Sequence, residues 1–364
     1  MKLRSLVFVA AYSLALVGCG GNAGGNAPRR PRYQIDDRVA APLTEVRDQA
    51  NSGTCWAFGG VSLMESELLL RRGLRCDLSE MWLVRHAYLE KVMKYVRTRG
   101  NCRFRQGGEL QDGLWLIDRY GIVPEEVYPG NASDGTYDHR KLARTMSRLA
   151  ERIVDDELYA TEDWIGLINK ELDEYLGVVP ESFEVDGHEF TPKTYAASLE
   201  LRSSDFVAIT SFAHHPFFSD FVLEIPDNWA GHRTHNLPLD SLMNLVDDLL
   251  QRGVSVGWNS DVSERSFRAG IGILPVDLEA RKLPAEEIEI DQALRQELFD
   301  RQETTDDHIM HLVGVGYDKA GTMYYKVKNS WGTRSGYDGF WYVSPTYVAG
   351  KTIELLIPRK AFGE

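Results

Sequence analysis

Cys55 stands in the run "QANSGTCWAF" (residues 49–58), among small residues, with Trp56 directly after it and Gln49 six positions ahead. A thiol attacks carbonyl carbon only as its thiolate, and a cysteine with a pKa near ~8.5 is seldom ionised at neutral pH. Two devices favour the thiolate: a helix N-terminus and a neighbouring imidazolium. Apolar residues recur at helical spacing from Cys55 through Trp56, Phe58, Val61, Met64 and Leu68, and Gly73 follows as a stop. Cys55 therefore opens a predicted helix over 55–72, with Ser52 and Thr54 as the expected caps. The imidazole must come from far along the chain. His308, in "TTDDHIMHLVGVG", sits at the mouth of a β-rich run, and Asn329, in "VKNSWG", lies on the neighbouring strand, where its amide can orient the ring. The competing reading is a packed thiol, since free cysteine behaves as a small hydrophobe. Gln49, His308 and Asn329 together weigh against it.

The elements that must position these groups fall into two halves. A second helix is expected over Asp77 to Val96 with a capping-box start at Ser79, and a third over "ELQDGLWLIDRYG", ending at Gly121. Gly59-Gly60 inside the first helix costs ~1 kcal/mol each relative to alanine, which suggests that another backbone or a substrate comes close there. Residues 139–177 are helical and charge-rich with one apolar face, most simply a solvated face, and 132–205 reads as a helical insertion. "SSDFVAITSF", "DFVLEIP" and "VSVGWNS" read as strands, the last after the helix "LDSLMNLVDDLLQRG". Two β-rich runs flank Asp318-Lys319-Ala320-Gly321 as a hairpin, and "GFWYVS" follows as a further strand. The N-terminal half is thus mainly helical and the C-terminal half mainly antiparallel β, with no internal repeat.

Three motifs in chain order, Q-x5-C-W-A-F, H-x5-G-x-G and N-S-W-G, resemble the papain superfamily of cysteine peptidases from about Pro42 to Val343. The resemblance implies an α+β, papain-like two-lobe fold: a helical N-terminal lobe, an antiparallel β-barrel-like C-terminal lobe and an active-site cleft between them. It implies Cys55 as nucleophile and His308 as its ion-pair partner and acid. Gln49 and the Cys55 N–H become the oxyanion donors, Asn329 the holder of the imidazole and Trp331 its shield from water. His308 rather than His311 stands six residues before Gly314, and Asp307 precedes it, as in the family. An odd separation puts His308 and His311 on opposite strand faces. Gly107 and Gly108 match the segment whose backbone holds an extended peptide, so Gly107, Gly108, Trp331 and Asp307 are the candidate substrate-binding residues. Ser52 stands where the secreted branch carries a disulfide cysteine. "SGTCW", "TDDH", "SFAHHPF" and "PDNW" are similar to the bleomycin hydrolase/aminopeptidase C branch, in its bacterial form. That branch implies removal of N-terminal residues, a C-terminal tail that docks the substrate amine and a hexamer. Only "IPRKAFGE" follows the last strand here, so neither the aminopeptidase restriction nor the hexamer follows from the resemblance alone. The expected activity is an aminopeptidase-like cysteine peptidase on peptide or protein substrates, working without cofactor or metal. The alternatives are a papain-like endopeptidase and a catalytically silent peptide-binding lipoprotein.

The chain of 364 residues is long enough for one large two-lobed unit, and 54 Asp+Glu against 41 Lys+Arg disfavours nucleic acid as a partner. Residues 1–18 read as a lipoprotein signal peptide: Lys2 and Arg4 precede "SLVFVAAYSLALVG", which ends in the lipobox-like Leu16-Val17-Gly18-Cys19. Cys19 is the expected lipidation site, residues 19–32 a flexible tether and 33–364 the peptidase domain. This places the protein in the bacterial cell envelope, on a membrane through its lipid anchor. Cys55, Cys76 and Cys102 remain after Cys19, an odd number in an oxidising compartment. Cys76–Cys102 is the candidate disulfide that would leave Cys55 free, and the other reading leaves none paired. His214-His215 and the His232/His235 pair have no carboxylate or cysteine at a recognised metal spacing, so they read as polar loop or cleft residues.

Overall fold

The computed structural model describes residues 33–362 apart from 132–135, 162, 269 and 277–284. The signal peptide, Cys19 and the tether lie outside these described residues. Nine helices are described: α1 Cys55–Arg72, α2 Glu80–Arg97, α3 Leu110–Tyr120, α4 Arg140–Asp155, α5 Trp164–Leu176, α6 Pro192–Leu199, α7 Leu239–Gln251, α8 Gln292–Asp300 and α9 Pro345–Lys351. The strands are β1 Ile35–Ala40, β2 Phe183–Val185, β3 His188–Phe190, β4 Phe206–Thr210, β5 Asp220–Val222, β6 Arg233–Asn236, β7 Val256–Ser260, β8 Ile271–Gly272, β9 His308–Asp318, β10 Met323–Lys328, β11 Phe340–Val343 and β12 Thr352–Pro358.

Helix α1 starts and stops where the sequence places it, with Gly73 at φ 63° closing the C-terminus in the left-handed conformation that glycine tolerates. Trp56 to Leu68 are buried without interruption, so α1 is the central helix rather than an amphipathic one. Of the two expected caps, Thr54 does stand at the N-cap of α1, with its carbonyl accepting from Ala57 and Phe58 N–H, but its side chain makes no capping bond and Ser52 lies outside the cap. Ser52 Oγ donates to Gln49 O at 2.7 Å and shares a 2.6 Å hydrogen bond with Thr54 Oγ1, so neither hydroxyl caps α1. Ser79 does cap α2, its Oγ accepting from Trp82 N–H at 2.9 Å, but tryptophan at the third helical position cannot return the reciprocal bond of a capping box. Gly59 is explained by a strand, since a Cβ there would lie 2.8 Å from Ile309 Cγ2.

Helices α4 to α6 share one apolar core with α1 to α3; α4 contributes Leu142, Met146, Leu149, Ala150 and Ile153 from a single face. The stretch 132–205 is not wholly helical, because β2 and β3 form a hairpin inside it. Asp186 and Gly187, at φ 51° and 77°, make the two-residue turn with both residues in the left-handed region that such hairpins favour.

A second core lies under a sheet of ten strands in the order β5-β6-β4-β12-β7-β9-β10-β11-β8, with β1 also on β9. Most pairs are antiparallel, but β4–β6 and β11–β8 are parallel. Among the described residues the pairing is an open path ending at β5 and β8, not a closed barrel. Strand β1 corrects the simple division into halves: the described part of the chain starts in the β-lobe, Ile35 pairing with Asp318, before crossing to α1. The eleven-residue β9 is the organising strand. Its first half pairs with β7, its second half with β1, and β10 runs beside both.

Candidate active site

Helix α1 and strand β9 run side by side in the same direction, which joins the two halves of the chain. Gly59 lies against Ile309, and Ser62 Oγ is 2.9 Å from His311 Nδ1. From Ser62 back to Cys55 is about two helical turns, ~10 Å, on the same face. From His311 back to His308 is three strand residues, also ~10 Å. The N-terminal end of α1 and the first residue of β9 therefore reach the same end of the lobe interface. His311 faces α1 and is fully buried, whereas His308 turns to the other strand face, as alternation requires.

His308 is 2% exposed, with Nε2 2.9 Å from the Asn329 Oδ1 acceptor. Asn329 follows directly on the end of β10, and its Oδ1 also accepts from Ser330 N–H at 2.7 Å, which fixes the amide. Among the described residues His308 Nδ1 has no hydrogen-bond partner. The Nε2–H···O=C bond therefore sets the tautomer and leaves Nδ1 available as a base. The indole of Trp331 stacks on the imidazole at 4.7 Å between centroids and 24° between planes, and Trp341 meets that indole edge-on. Burial pulls the imidazole down to about 4, while the Asn329 hydrogen bond acts in the opposite sense. The ring is thus neutral at neutral pH until a thiol proton is passed to it.

Gln49 is 1% exposed and held from three directions. Its Nε2 donates to Ser52 O at 2.8 Å, its Oε1 accepts from Ser330 Oγ at 2.5 Å, and its backbone N–H donates to Ser330 O at 2.8 Å. One N–H of the side-chain amide remains to serve an oxyanion. Ser330 is the positioning residue that sequence reasoning missed, although it lies inside the quoted N-S-W-G run. Ser52, noted only for the cysteine it replaces, shapes the turn that carries Gln49.

The Gly107-Gly108 segment is tied to this turn: Gly53 N–H donates to Gln106 Oε1 at 3.0 Å and Trp56 Nε1 to Gln106 O at 3.1 Å. Lys91, 5% exposed, spends its ammonium on the carbonyls of Arg105, Gln106 and Gly107. The room that these glycines leave is taken by the chain itself. A Cβ on Gly107 would overlap the Asp227 carboxylate, and one on Gly108 would lie 2.6 Å from Asp112 Oδ2 and 3.3 Å from the Trp56 ring. Asp227 belongs to the β5–β6 connection, which crosses from the β-lobe and is pinned to α3 by two bonds to the buried Asp112. Trp229 Nε1 donates to Asp112 Oδ2 at 2.7 Å, and His232 Nε2 is 2.8 Å from its Oδ1. Asn228 braces the loop internally to Leu223 and His232. "PDNW" marked a branch in the sequence; its role as a strap across the lobes needed the fold. Asp307 is exposed, accepts from Thr305 Oγ1 at 2.9 Å, and has no hydrogen bond to His308.

Cys55, Cys76 and Cys102 form no disulfide. The candidate Cys76–Cys102 bridge is corrected by α2, which separates the two. Eighteen residues at ~1.5 Å rise make ~27 Å of helix, against the ~5.5–6 Å between Cα atoms that a bridge requires. Burial pushes the Cys76 thiol up to about 12, which leaves it inert. The histidine pairs do find carboxylates. His214 and His215 both reach Glu224, at 3.3 and 2.7 Å, a set of three that could hold a metal ion, and His235 meets Asp220 at 2.7 Å. No spacing rule reveals Glu224, because it arrives through the fold of β5.

Residues 32–364 match the family described as Peptidase C1-like. The chain belongs to that family. It is a cysteine-type peptidase with a papain-like fold. Aminopeptidase G of Lactobacillus delbrueckii subsp. lactis is 25% identical over 363 residues, covering 88% of this chain and 82% of that protein. Aminopeptidase C of Streptococcus thermophilus is 25% identical over 382 residues, covering 92% and 85%. In fold, this peptidase superposes on the crystal structure of PepW from Lactobacillus rhamnosis HN001 with a TM-score of 0.68, at 22% identity over 91% of this chain and 82% of that one.

Proposed function

We propose that this peptidase removes residues from the N-terminus of peptides through a Cys55 acyl-enzyme. The observation that carries the exopeptidase reading is Asp227 seated on Gly107, which puts a pinned loop of the chain where an extended substrate would continue past the cleft. The similarity to proteins named aminopeptidases supports the same reading.

In the chemistry that follows, the Cys55 thiol proton moves to His308 Nδ1 and the thiolate attacks the scissile carbonyl carbon. The oxyanion is met by the Cys55 N–H and the Gln49 side-chain amide. The C–N bond breaks, the leaving amine takes the proton from His308, and a thioester remains on Cys55. His308 then accepts a proton from water as the water attacks the thioester. The carboxylic acid departs and the thiol is restored. Lipidation at Cys19 and a place in the cell envelope belong to the same proposal, supported by the Leu16–Cys19 run.

Paired substrates with a free or an acetylated N-terminus test the exopeptidase reading. Acetylation is expected to lower kcat/KM by roughly 10²-fold or more, because a closed site cannot take the added group. Equal turnover of the two would overturn it.

A further inference from the structure

Under the Asp227 strap lies a set of buried carboxylates that the acyl-transfer chemistry does not use. Asn259, in β7, donates from Nδ2 both to Glu109 Oε2 at 2.9 Å and to Asp306 Oδ1 at 3.0 Å. Glu354, on β12, takes Gln111 Nε2 at 3.3 Å. Asp306 stands two residues before His308, and β7 pairs with β9 at this end, Asn259 opposite Ile309 and Ser260 opposite His308. Glu109 follows directly on Gly108. Asn259, opposite Ile309, shares the strand face that meets α1 at Gly59, so the set lies beside the first turns of α1 and next to the Gly107 shelf.

Its hydrogen bonding is one-sided. Asn259, Glu109 and Glu354 are 0%, 1% and 3% exposed, yet Asn259 Oδ1, Glu109 Oε1 and Glu354 Oε2 have no hydrogen-bond partner among the described residues, and neither does Asp306 Oδ2. A buried acceptor left unpaired costs ~1–3 kcal/mol, and more when charged. Glu109, Asp306 and Glu354 repel one another as like charges, and the donors that reach them, the Asp227 backbone N–H at Asp306 and the Thr234 hydroxyl at Glu354, carry no positive charge. The nearby Lys91 cannot supply one, because its ammonium is already bound to the carbonyls of residues 105–107. His232 is committed to Asp112. What the set lacks is a cation with several N–H groups.

We infer that Asp306, Glu109 and Glu354 form the receptor for the substrate's N-terminal ammonium. This rests on the aminopeptidase reading above. An ammonium offers three N–H donors and one positive charge to acceptor-only groups. Bond lengths place it ~2.5 Å from the carbonyl carbon of its own residue, so its receptor has to adjoin the reacting centre at the N-terminal end of α1, the end on which the set lies. Burial raises the Asp306 carboxyl to about 7 and the Glu354 carboxyl to about 8, which fits groups that await a cation before they ionise.

The test uses three matched fluorogenic dipeptide substrates: free amine, N-acetyl, and a desamino analogue with hydrogen in place of the ammonium. The wild-type protein is expected to prefer the free amine over the desamino analogue by roughly 10²-fold in kcat/KM. Asp306→Asn and, separately, Glu354→Gln are expected to shrink that preference to within a few-fold, mainly through KM. Far-UV circular dichroism, together with iodoacetamide that modifies Cys55 and spares the partly buried Cys76, reports that each variant is folded; a variant that fails it leaves the test to the other. A preference retained in the folded variants overturns the inference while leaving the aminopeptidase reading intact. Equal wild-type turnover of free and acetylated substrates overturns that reading itself. A preference for lysine over norleucine at the second position of acetylated substrates, lost in Asp306→Asn, gives the receptor to a side-chain cation and overturns the N-terminal assignment.

Discussion

His308→Ala is expected to lower kcat/KM by roughly 10⁴-fold or more while leaving the protein folded. The imidazole is the base available to Cys55, and no second histidine can take over. His311 lies on the opposite face of β9 with its Nδ1 on Ser62. The β9 ladder to β7 and β10 is made by backbone, so the sheet survives the truncation. Asn329→Ala is expected to cost much less. It removes the acceptor that orients Nε2, yet the ring remains clamped under Trp331. Steady-state kinetics on a free-amine peptide, with circular dichroism as the folding control, measures both variants. Equal losses in the two would mean that orientation, not proton transfer, is what His308 contributes.

The second large effect is expected at Gln49, where alanine should lower kcat by roughly 10²–10³-fold with little change in KM. An oxyanion donor acts on charge that develops only in the transition state, so its loss appears in kcat rather than in ground-state binding. The three-point anchoring of Gln49 by Ser52 and Ser330 aims the amide before the substrate arrives. Ser330→Ala removes one anchor and should cause a smaller loss of the same kind. Kinetics that instead showed a raised KM at unchanged kcat would place Gln49 in substrate binding.

Cys55, His308 and Asn329 of the proposed catalytic set stood out because each sits at the start of an element with a strong local signature or directly past its end. Cys55 opens a helix closed by Gly73, His308 opens a long β-run, and Asn329 follows directly on a strand, two residues before a tryptophan. Long-range pairings left no such mark. β1 joins β9 across most of the chain, and only the sheet register reveals it. The β2–β3 hairpin did carry a local signal, Asp186-Gly187, which the surrounding helical periodicity obscured. Capping is a three-dimensional choice as well: the Ser52 and Thr54 hydroxyls could serve either the helix or the Gln49 turn, and the fold assigned them to the turn. The Asp227 strap and the carboxylates beneath it assemble from α3, β7, β12 and two loops, so nothing adjacent in sequence announced them. Cys76 and Cys102 show the reverse failure, a plausible pair by count that a straight helix holds apart.

The central claim, a Cys55 nucleophile activated by His308, is tested most directly by mass-spectrometric mapping of the thiols modified by a peptidyl epoxide. The expected result is modification at Cys55, none at Cys76, and loss of the Cys55 adduct in His308→Ala. An epoxide that misses Cys55, or one that modifies it equally well without His308, would contradict the account.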